Sequence, residues 1–413
     1  MGNVENKLRQ EDAAIHDWYR FVLSYPPHLV KTYLDRFGIG PNEVVLDPFC
    51  GTGTTNVECK KRGIASIGIE ASPITYFASR TKCNWSIDIS SMGEVADQIV
   101  ECATGRIRNT DALHVLSAEQ CSLILKNSIS EQPLNATLIL RDTIDEMSGI
   151  YHDLYQLALA KHIVYSYSNL KFGPEVGVSR KKREYADVVG IWRQEIAQMQ
   201  SDLEEYSTNS DVYSMIVHGD SRTIDTELLT KKVDCVITSP PYPNEKDYSR
   251  TTRLESVILG FIKNKAELRD IKKGFIRSNS KNIYRSDADY TYIEGIASIE
   301  ELSDKIEKTR LELGKTSGFE KLYASVVRMY FGGMAKHLLE LKGILNKGAV
   351  LAYVVGDQAS YFQIPIRTSQ LLGEVAESIH GYRVENIETF RKRFATATET
   401  WLNEDVLILK YVG

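Results

Sequence analysis

A chain of 413 residues is long enough for two domains or one enlarged one. Its 43% hydrophobic and 25% charged residues match ordinary globular usage, and a net charge of −5 gives no overall attraction for nucleic acid. No apolar run reaches the roughly 18 residues of a membrane span, the polar start Met1–Asp12 lacks the apolar core of a signal peptide, and six scattered cysteines without a Cys-x-x-Cys pair argue against zinc and disulfide frameworks and for a reducing cytoplasm.

In chain order, Leu29, Val30, Tyr33, Leu34 and Phe37 fall at helical spacing, with Pro27 near the start and Gly38 at the end. Val44-Val45-Leu46-Asp47 then reads as a buried parallel strand that runs into the small-residue loop Pro48-Phe49-Cys50-Gly51-Thr52-Gly53-Thr54-Thr55. A loop of this kind lets a ligand approach the backbone, and a short helix is expected over Asn56 to Arg62, its N-terminal N–H groups facing that ligand. Ile64 to Glu70 is the second strand. Glu70 ends it about 20 residues beyond the glycines, where a carboxylate accepts bonds from the two ribose hydroxyls of a nucleotide cofactor. Ala71-Ser72-Pro73 opens a helix through Lys82.

Residues 86–211 read as a mostly helical insertion between residues 1–85 and 212–413. Val188, Ile191, Trp192, Ile196, Met199 and Leu203 form one stripe of a helix over Asp187 to Tyr206. Lys171 to Val178 is a turn-rich loop before the basic run Arg180-Lys181-Lys182-Arg183. Two further basic stretches, Lys263 to Arg285 and Arg391-Lys392-Arg393, complete three candidates for a local phosphate-binding face; each is also an ordinary solvated surface.

Val212 to Arg222 resumes the sheet and ends in Gly219-Asp220-Ser221. Val233 to Thr238 is another buried strand, ending in Ser239-Pro240-Pro241-Tyr242. Two consecutive prolines stop the sheet and fix a rigid loop with Tyr242 at its tip. Residues 263–318 interleave Lys272, Lys273, Arg277, Lys281 and Arg285 with Phe275, Tyr284, Tyr290 and Tyr292. That composition suits a flexible segment gripping phosphates and stacking on bases, or a solvated loop with a helix at its end. A long helix is expected over Phe319 to Leu345, a strand over Ala349 to Val355, a helix over Leu371 to Ser378, and a closing strand pair over Tyr382 to Phe390 and Asp405 to Tyr411. Strands alternating with helices imply a doubly wound α/β sheet.

The stretches Asp47 to Thr55 and Thr238 to Tyr242 together resemble the amino-group DNA methyltransferases that use S-adenosylmethionine. The resemblance covers the N-terminal quarter and everything after about Val212, and it implies a mostly parallel seven-stranded Rossmann-like methyltransferase sheet with a helical insertion, closed by an antiparallel hairpin. In that family the first motif cradles the methionine part of the cofactor, which implies that role for Asp47, Pro48, Phe49, Cys50, Gly51, Thr52, Gly53, Thr54 and Thr55. Tyr25, Pro26 and Pro27 would close over the cofactor carboxylate, Glu70 with Ala71 would meet the ribose, and Asp220 with Ser221 would meet the adenine. Ser239, Pro240, Pro241 and Tyr242 would hold the exocyclic amine of a flipped base. The insertion 86–211 is then a candidate target-recognition region, or a lid or dimerisation arm; its position departs from the family's common layouts.

Serine before Pro-Pro-Tyr leans, in that family, to N4 of cytosine, and aspartate to N6 of adenine. The expected activity is therefore cytosine-N4 methylation of double-stranded DNA in a restriction–modification or host-defence setting, with adenine-N6 methylation as the alternative and a cognate restriction endonuclease as a candidate partner. Neither a metal nor a covalent protein intermediate is expected. Two more distant readings remain. RNA methylation at a guanine amino group usually brings an N-terminal RNA-binding domain, and too few residues precede Val44 for one. A non-catalytic DNA-recognition subunit would carry a damaged catalytic loop, and Ser239 to Tyr242 are all present.

Overall fold

In the computed structural model the described residues are 8–21, 24–173, 175–225, 231–244, 246–395 and 399–413. Most of the N-terminal stretch read as too polar for a leader, residues 1–7, lies outside them, as does Pro174 of the turn-rich loop Lys171 to Val178.

Helix α1 (Pro27–Phe37) leads to strand β1 (Val44–Asp47), helix α2 (Thr54–Lys61), strand β2 (Ala65–Glu70) and helix α3 (Pro73–Cys83). Helix α2 starts two residues earlier than its expected start because Gly53, at φ 82°, turns the chain directly into it. The insertion contributes α4 (Met92–Arg108), α5 (Ala118–Leu123), α6 (Glu131–Met147), α7 (His152–His162), the short hairpin β3 (Leu170–Phe172) and β4 (Val176–Val178), and α8 (Val188–Glu205). The loop expected over Lys171 to Val178 is thus a paired hairpin. Asp187 caps α8 by accepting from Gly190 N–H at 3.0 Å.

Strands β5 (Ser214–His218) and β6 (Val233–Thr238) return to the sheet, followed by helices α9 (Tyr248–Thr251), α10 (Arg253–Ile258), α11 (Lys265–Lys273), α12 (Ala297–Glu312) and α13 (Tyr323–Leu341). The last elements are β7 (Leu345–Gly356), α14 (Thr368–Ser378), β8 (Tyr382–Ala395) and β9 (Thr400–Tyr411).

The main sheet has seven strands in the order β5-β2-β1-β6-β7-β9-β8. Its β2–β5, β1–β2, β1–β6 and β6–β7 pairs are parallel, and only β9 runs against its neighbours. Side chains alternate between the two covered faces. Val45, Cys235 and Ile237 pack with α1, whereas Leu46, Val236 and Tyr353 pack with α13 and α14. A further core joins Ile74 and Phe77 of α3 to Ile99, Leu140, Leu157 and Trp192 of the insertion. The insertion therefore shares a core with the sheet's flanking helices instead of standing apart. Among the described residues no helix is long and apolar enough to cross a membrane.

The segment 263–318 departs most from expectation. It is folded, and its charges are largely engaged within the protein. Lys272 pairs with Asp247 at 2.9 Å, Lys273 with Asp270 at 2.6 Å and Arg277 with Asp287 at 2.8 Å. A 3₁₀ stretch, Asp289–Ile293, lies hard against α13. A Cβ on Gly332 would stand 2.0 Å from the Asp289 carbonyl oxygen. Gly332→Ala is therefore expected to cost roughly 3 kcal/mol through overpacking, read as a lower urea midpoint; an unchanged midpoint would show that the 289–293 stretch moves aside freely. The long helix also differs from expectation: it spans Tyr323–Leu341, and Leu345 already belongs to β7. The closing hairpin is longer than read, because cross-strand pairing continues out to Ala395↔Thr400.

Candidate functional site

The strand order reverses between β1 and β6, so the loops after these strands diverge and leave a crevice at their carboxyl ends. A cavity of about 610 Å³ fills that crevice. From the loop after β1 it is lined by Pro48, Phe49, Cys50, Gly51 and Thr54, and from the segment before α1 by Tyr25. Glu70 and Ala71 line it at the end of β2, and Ser221 after β5. Ser239, Pro240, Pro241 and Tyr242 line it after β6.

The other residues singled out in the sequence are not on this wall: Pro26, Pro27, Asp47, Thr52, Gly53, Thr55 and Asp220. Asp47 is fully buried and acts as a staple. Its carboxylate accepts from Thr238 Oγ at 2.6 Å, from Tyr25 OH at 2.9 Å and from Phe49 N–H at 3.1 Å. Burial pushes its pKa up to about 6, against the pull of those bonds. Thr55 Oγ lies beside Tyr25 OH and donates to the Ile237 carbonyl, which ties β6 to the loop after β1. Asp220 is turned away into an ionic cluster. Arg222 donates to it at 2.6 Å, and to Asp289 at 2.6 Å. Asp220 is thus engaged by Arg222 and is not on the wall, whereas its neighbours Gly219 and Ser221 are.

Glu70 organises the first half of the cavity. Its carboxylate accepts Gly51 N–H and Ser72 N–H, both at 2.8 Å, so the loop after β1 is bound to the end of β2. Burial raises the Glu70 pKa to about 7 despite both bonds. Cys50, although it borders the cavity, is 2% exposed with its thiol pushed well up by burial; it is a packing group and not a thiolate.

In the second half, Ser239 Oγ donates to the Val354 carbonyl at 3.0 Å. That fixes the hydroxyl proton toward β7 and leaves the oxygen lone pairs for the cavity. Tyr242 OH lies 3.5 Å from Ser239 Oγ, and its hydroxyl is held neutral by burial. The Tyr242 ring sits where a Cβ on Gly356 would be, 2.9 Å from Cε2, so a residue without a side chain at the end of β7 gives the ring its seat. Tyr242 N–H donates to Tyr248 OH at 3.1 Å, and the Tyr248 ring lies 6.3 Å from that of Phe21. Sequence reasoning passed over Tyr248 and Phe21, because nothing local marks a hydroxyl that supports a loop six positions away. The far rim carries Arg391, Arg393 and Glu404 of the hairpin β8–β9; the basic run 391–393 was its one visible signal.

In open α/β sheets a switch-point crevice of this kind is where ligands bind. The family model described as DNA methylase, of the N6/N4 type, matches residues 4–77. The chain is 25% identical to the type II methyltransferase M.BsoBI of Geobacillus stearothermophilus, over 94% of this chain and 82% of that protein. It is 24% identical to the type II methyltransferase M.AvaI of Nostoc sp., over 90% of this chain and 79% of that one. To the type II methyltransferase M.MjaII of Methanocaldococcus jannaschii it is 23% identical, over 57% of this chain and 60% of that protein. These similarities support an amino-group DNA methyltransferase family for the chain.

Proposed function

We propose that this protein transfers a methyl group from S-adenosylmethionine to the N4 amine of a cytosine flipped out of double-stranded DNA, as the modifying member of a restriction–modification pair. The observation that carries the reading is the orientation of Ser239: its proton is committed to Val354 O, so its oxygen faces the cavity as an acceptor. When bound, the cofactor supplies an electrophilic methyl on a positively charged sulfur. The residues of this chain do the rest. Glu70 accepts from the ribose hydroxyls while it keeps Gly51 and Ser72 in place. Tyr25, Phe49 and the loop after β1 enclose the methionine end. Ser239 Oγ and the Pro240 carbonyl accept the two N–H bonds of the target amine, which returns electron density to a nitrogen whose lone pair is delocalised into the ring. A serine hydroxyl is a weak base, so its part is to orient and polarise. The Tyr242 ring stacks on the extruded base, as flipped bases require.

The test is transfer of labelled methyl from S-adenosylmethionine to unmethylated genomic DNA, with digestion to nucleosides and mass spectrometry. The expected product is N4-methylcytosine. N6-methyladenine would keep the mechanism and replace the target base, since a serine acceptor serves either amine. Cofactor binding without transfer to any DNA would sink the catalytic reading.

A further inference from the structure

The hairpin β8–β9 outgrows the sheet that carries it. Strand β7 pairs with β9 only as far as Gly356↔Glu404. Beyond that point Asp357 N–H still donates to the Asn403 carbonyl at 2.8 Å, and then Arg393↔Leu402, Phe394↔Trp401 and Ala395↔Thr400 continue as a two-stranded ribbon past the last β7 partner. A ribbon projecting from an edge buries little, and its residues need another reason to be ordered and apolar. Strand alternation gives its faces different characters. One face belongs to the cavity. There Arg391 is held by Glu404 at 2.6 Å, and Arg393 donates to the Asp357 carbonyl at 3.1 Å and to Gln358 at 3.3 Å. These bonds fix the ribbon to the rim of the site. The other face carries Lys392, Phe394 and Trp401. Phe394 and Trp401 meet edge to face, 5.3 Å between centroids, yet remain 50% and 59% exposed. Two large aromatic rings held together in solvent beside basic residues do not serve the fold.

We propose that this ribbon end is a DNA-contact element: it enters a groove of the duplex beside the extruded base, with Phe394 and Trp401 packed against base or sugar edges and Lys392 meeting a phosphate. The inference rests on the proposed DNA methylation. It adds the surface that receives the duplex, and three features argue for that occupant. The basic run Arg391-Lys392-Arg393 lies at this tip and leaves Lys392 exposed, a local charge that complements a polyanion. A two-stranded ribbon has the width a major groove admits. Arg391, Arg393 and Glu404 of the hairpin also line the cavity that would take the base, which puts the ribbon end beside a duplex delivering a base there.

The experiment compares the full chain with Phe394→Ala/Trp401→Ala and, separately, Lys392→Gln. Affinity for sheared unmethylated genomic DNA is measured across a salt series, alongside S-adenosylmethionine affinity, melting temperature and sedimentation. The double variant is expected to bind DNA about 10-fold more weakly, in the range of one lost base–aromatic contact, with cofactor affinity and melting temperature unchanged. Lys392→Gln keeps the aromatic pair and is expected to lower the slope of log affinity against log salt by about 0.9, one phosphate contact. DNA affinity equal to that of the parent chain in both variants would overturn the proposal. So would a double variant that sediments as a smaller species, which would assign the face to a second copy. If the parent chain bound cofactor but no DNA, the functional reading itself would fail, and the variants would not be needed to show it.

Discussion

Replacing Ser239 by alanine is expected to lower kcat for methyl transfer about 10²-fold, the effect of removing one preorganised hydrogen-bonding group from a site where charge develops. The direction follows from the geometry. The hydroxyl proton is spent on Val354 O, so the lost function is acceptance of an N–H from the amine, not donation. Acceptance matters most as the nitrogen becomes tetrahedral and positively charged, so the loss falls on kcat more than on KM for DNA. Cofactor affinity should be unchanged, because Glu70 and the loop after β1 make no bond to Ser239. Stability should fall by only about 1 kcal/mol, the worth of one hydrogen bond to a carbonyl that also belongs to the β7–β9 ladder. Single-turnover transfer with both substrates saturating separates these outcomes. A Ser239→Ala rate equal to that of the parent chain would remove Ser239 from the mechanism and leave the Pro240 carbonyl as the remaining acceptor.

What could be read in the sequence was local. Val44 to Asp47 is a strand because three apolar residues sit between two covered faces, and Gly53 turns the chain because it alone tolerates φ 82° at no cost. The strand-helix alternation fixes a doubly wound sheet, and a switch point in such a sheet fixes where a crevice opens. Side chains whose role depends on a distant partner were not legible. Gly-Asp after β5 reads as an adenine contact with Arg222 two residues on, and only folding brings Asp289 and Lys273 O to the same guanidinium. Lys272 and Arg277 read as available cations until Asp247 and Asp287 are seen to take them. The ribbon beyond Phe390 escapes a local reading for the same reason: Arg391-Lys392-Arg393 reads as a basic stretch, and only cross-strand pairing with Thr400 to Asn403 makes it a strand.

Glu70→Ala is expected to weaken S-adenosylmethionine binding about 10²-fold, from two lost bonds to a charged acceptor at roughly 1.5 kcal/mol each. The change also leaves Gly51 N–H and Ser72 N–H without their acceptor, so the loop that lines the cavity loosens as well. A pH dependence distinguishes the carboxylate from mere bulk. Burial raises Glu70 to about 7 in the free protein. Hydroxyl donors favour the ionised form, so cofactor binding must lower that pKa, and affinity must rise as pH passes upward through about 7. The stability term has the opposite sign. A folded-state pKa above the ordinary 4.5 gives a contribution that is fully present below 4.5 and lost as pH rises through about 7. The free protein therefore loses stability over the interval in which the bound one gains affinity, and the melting-temperature increase on adding cofactor should be larger at pH 8 than at pH 6. Asp47, with a pKa raised to about 6 in the same loop, is the neighbour that could mimic this profile, although it is sealed beneath the wall. Glu70→Gln keeps the shape and removes the titration, so calorimetry on that variant should give an affinity flat in pH across the interval. A parallel slope in Glu70→Gln and the parent chain would move the titration to another group and leave Glu70 as a clamp on the loop alone.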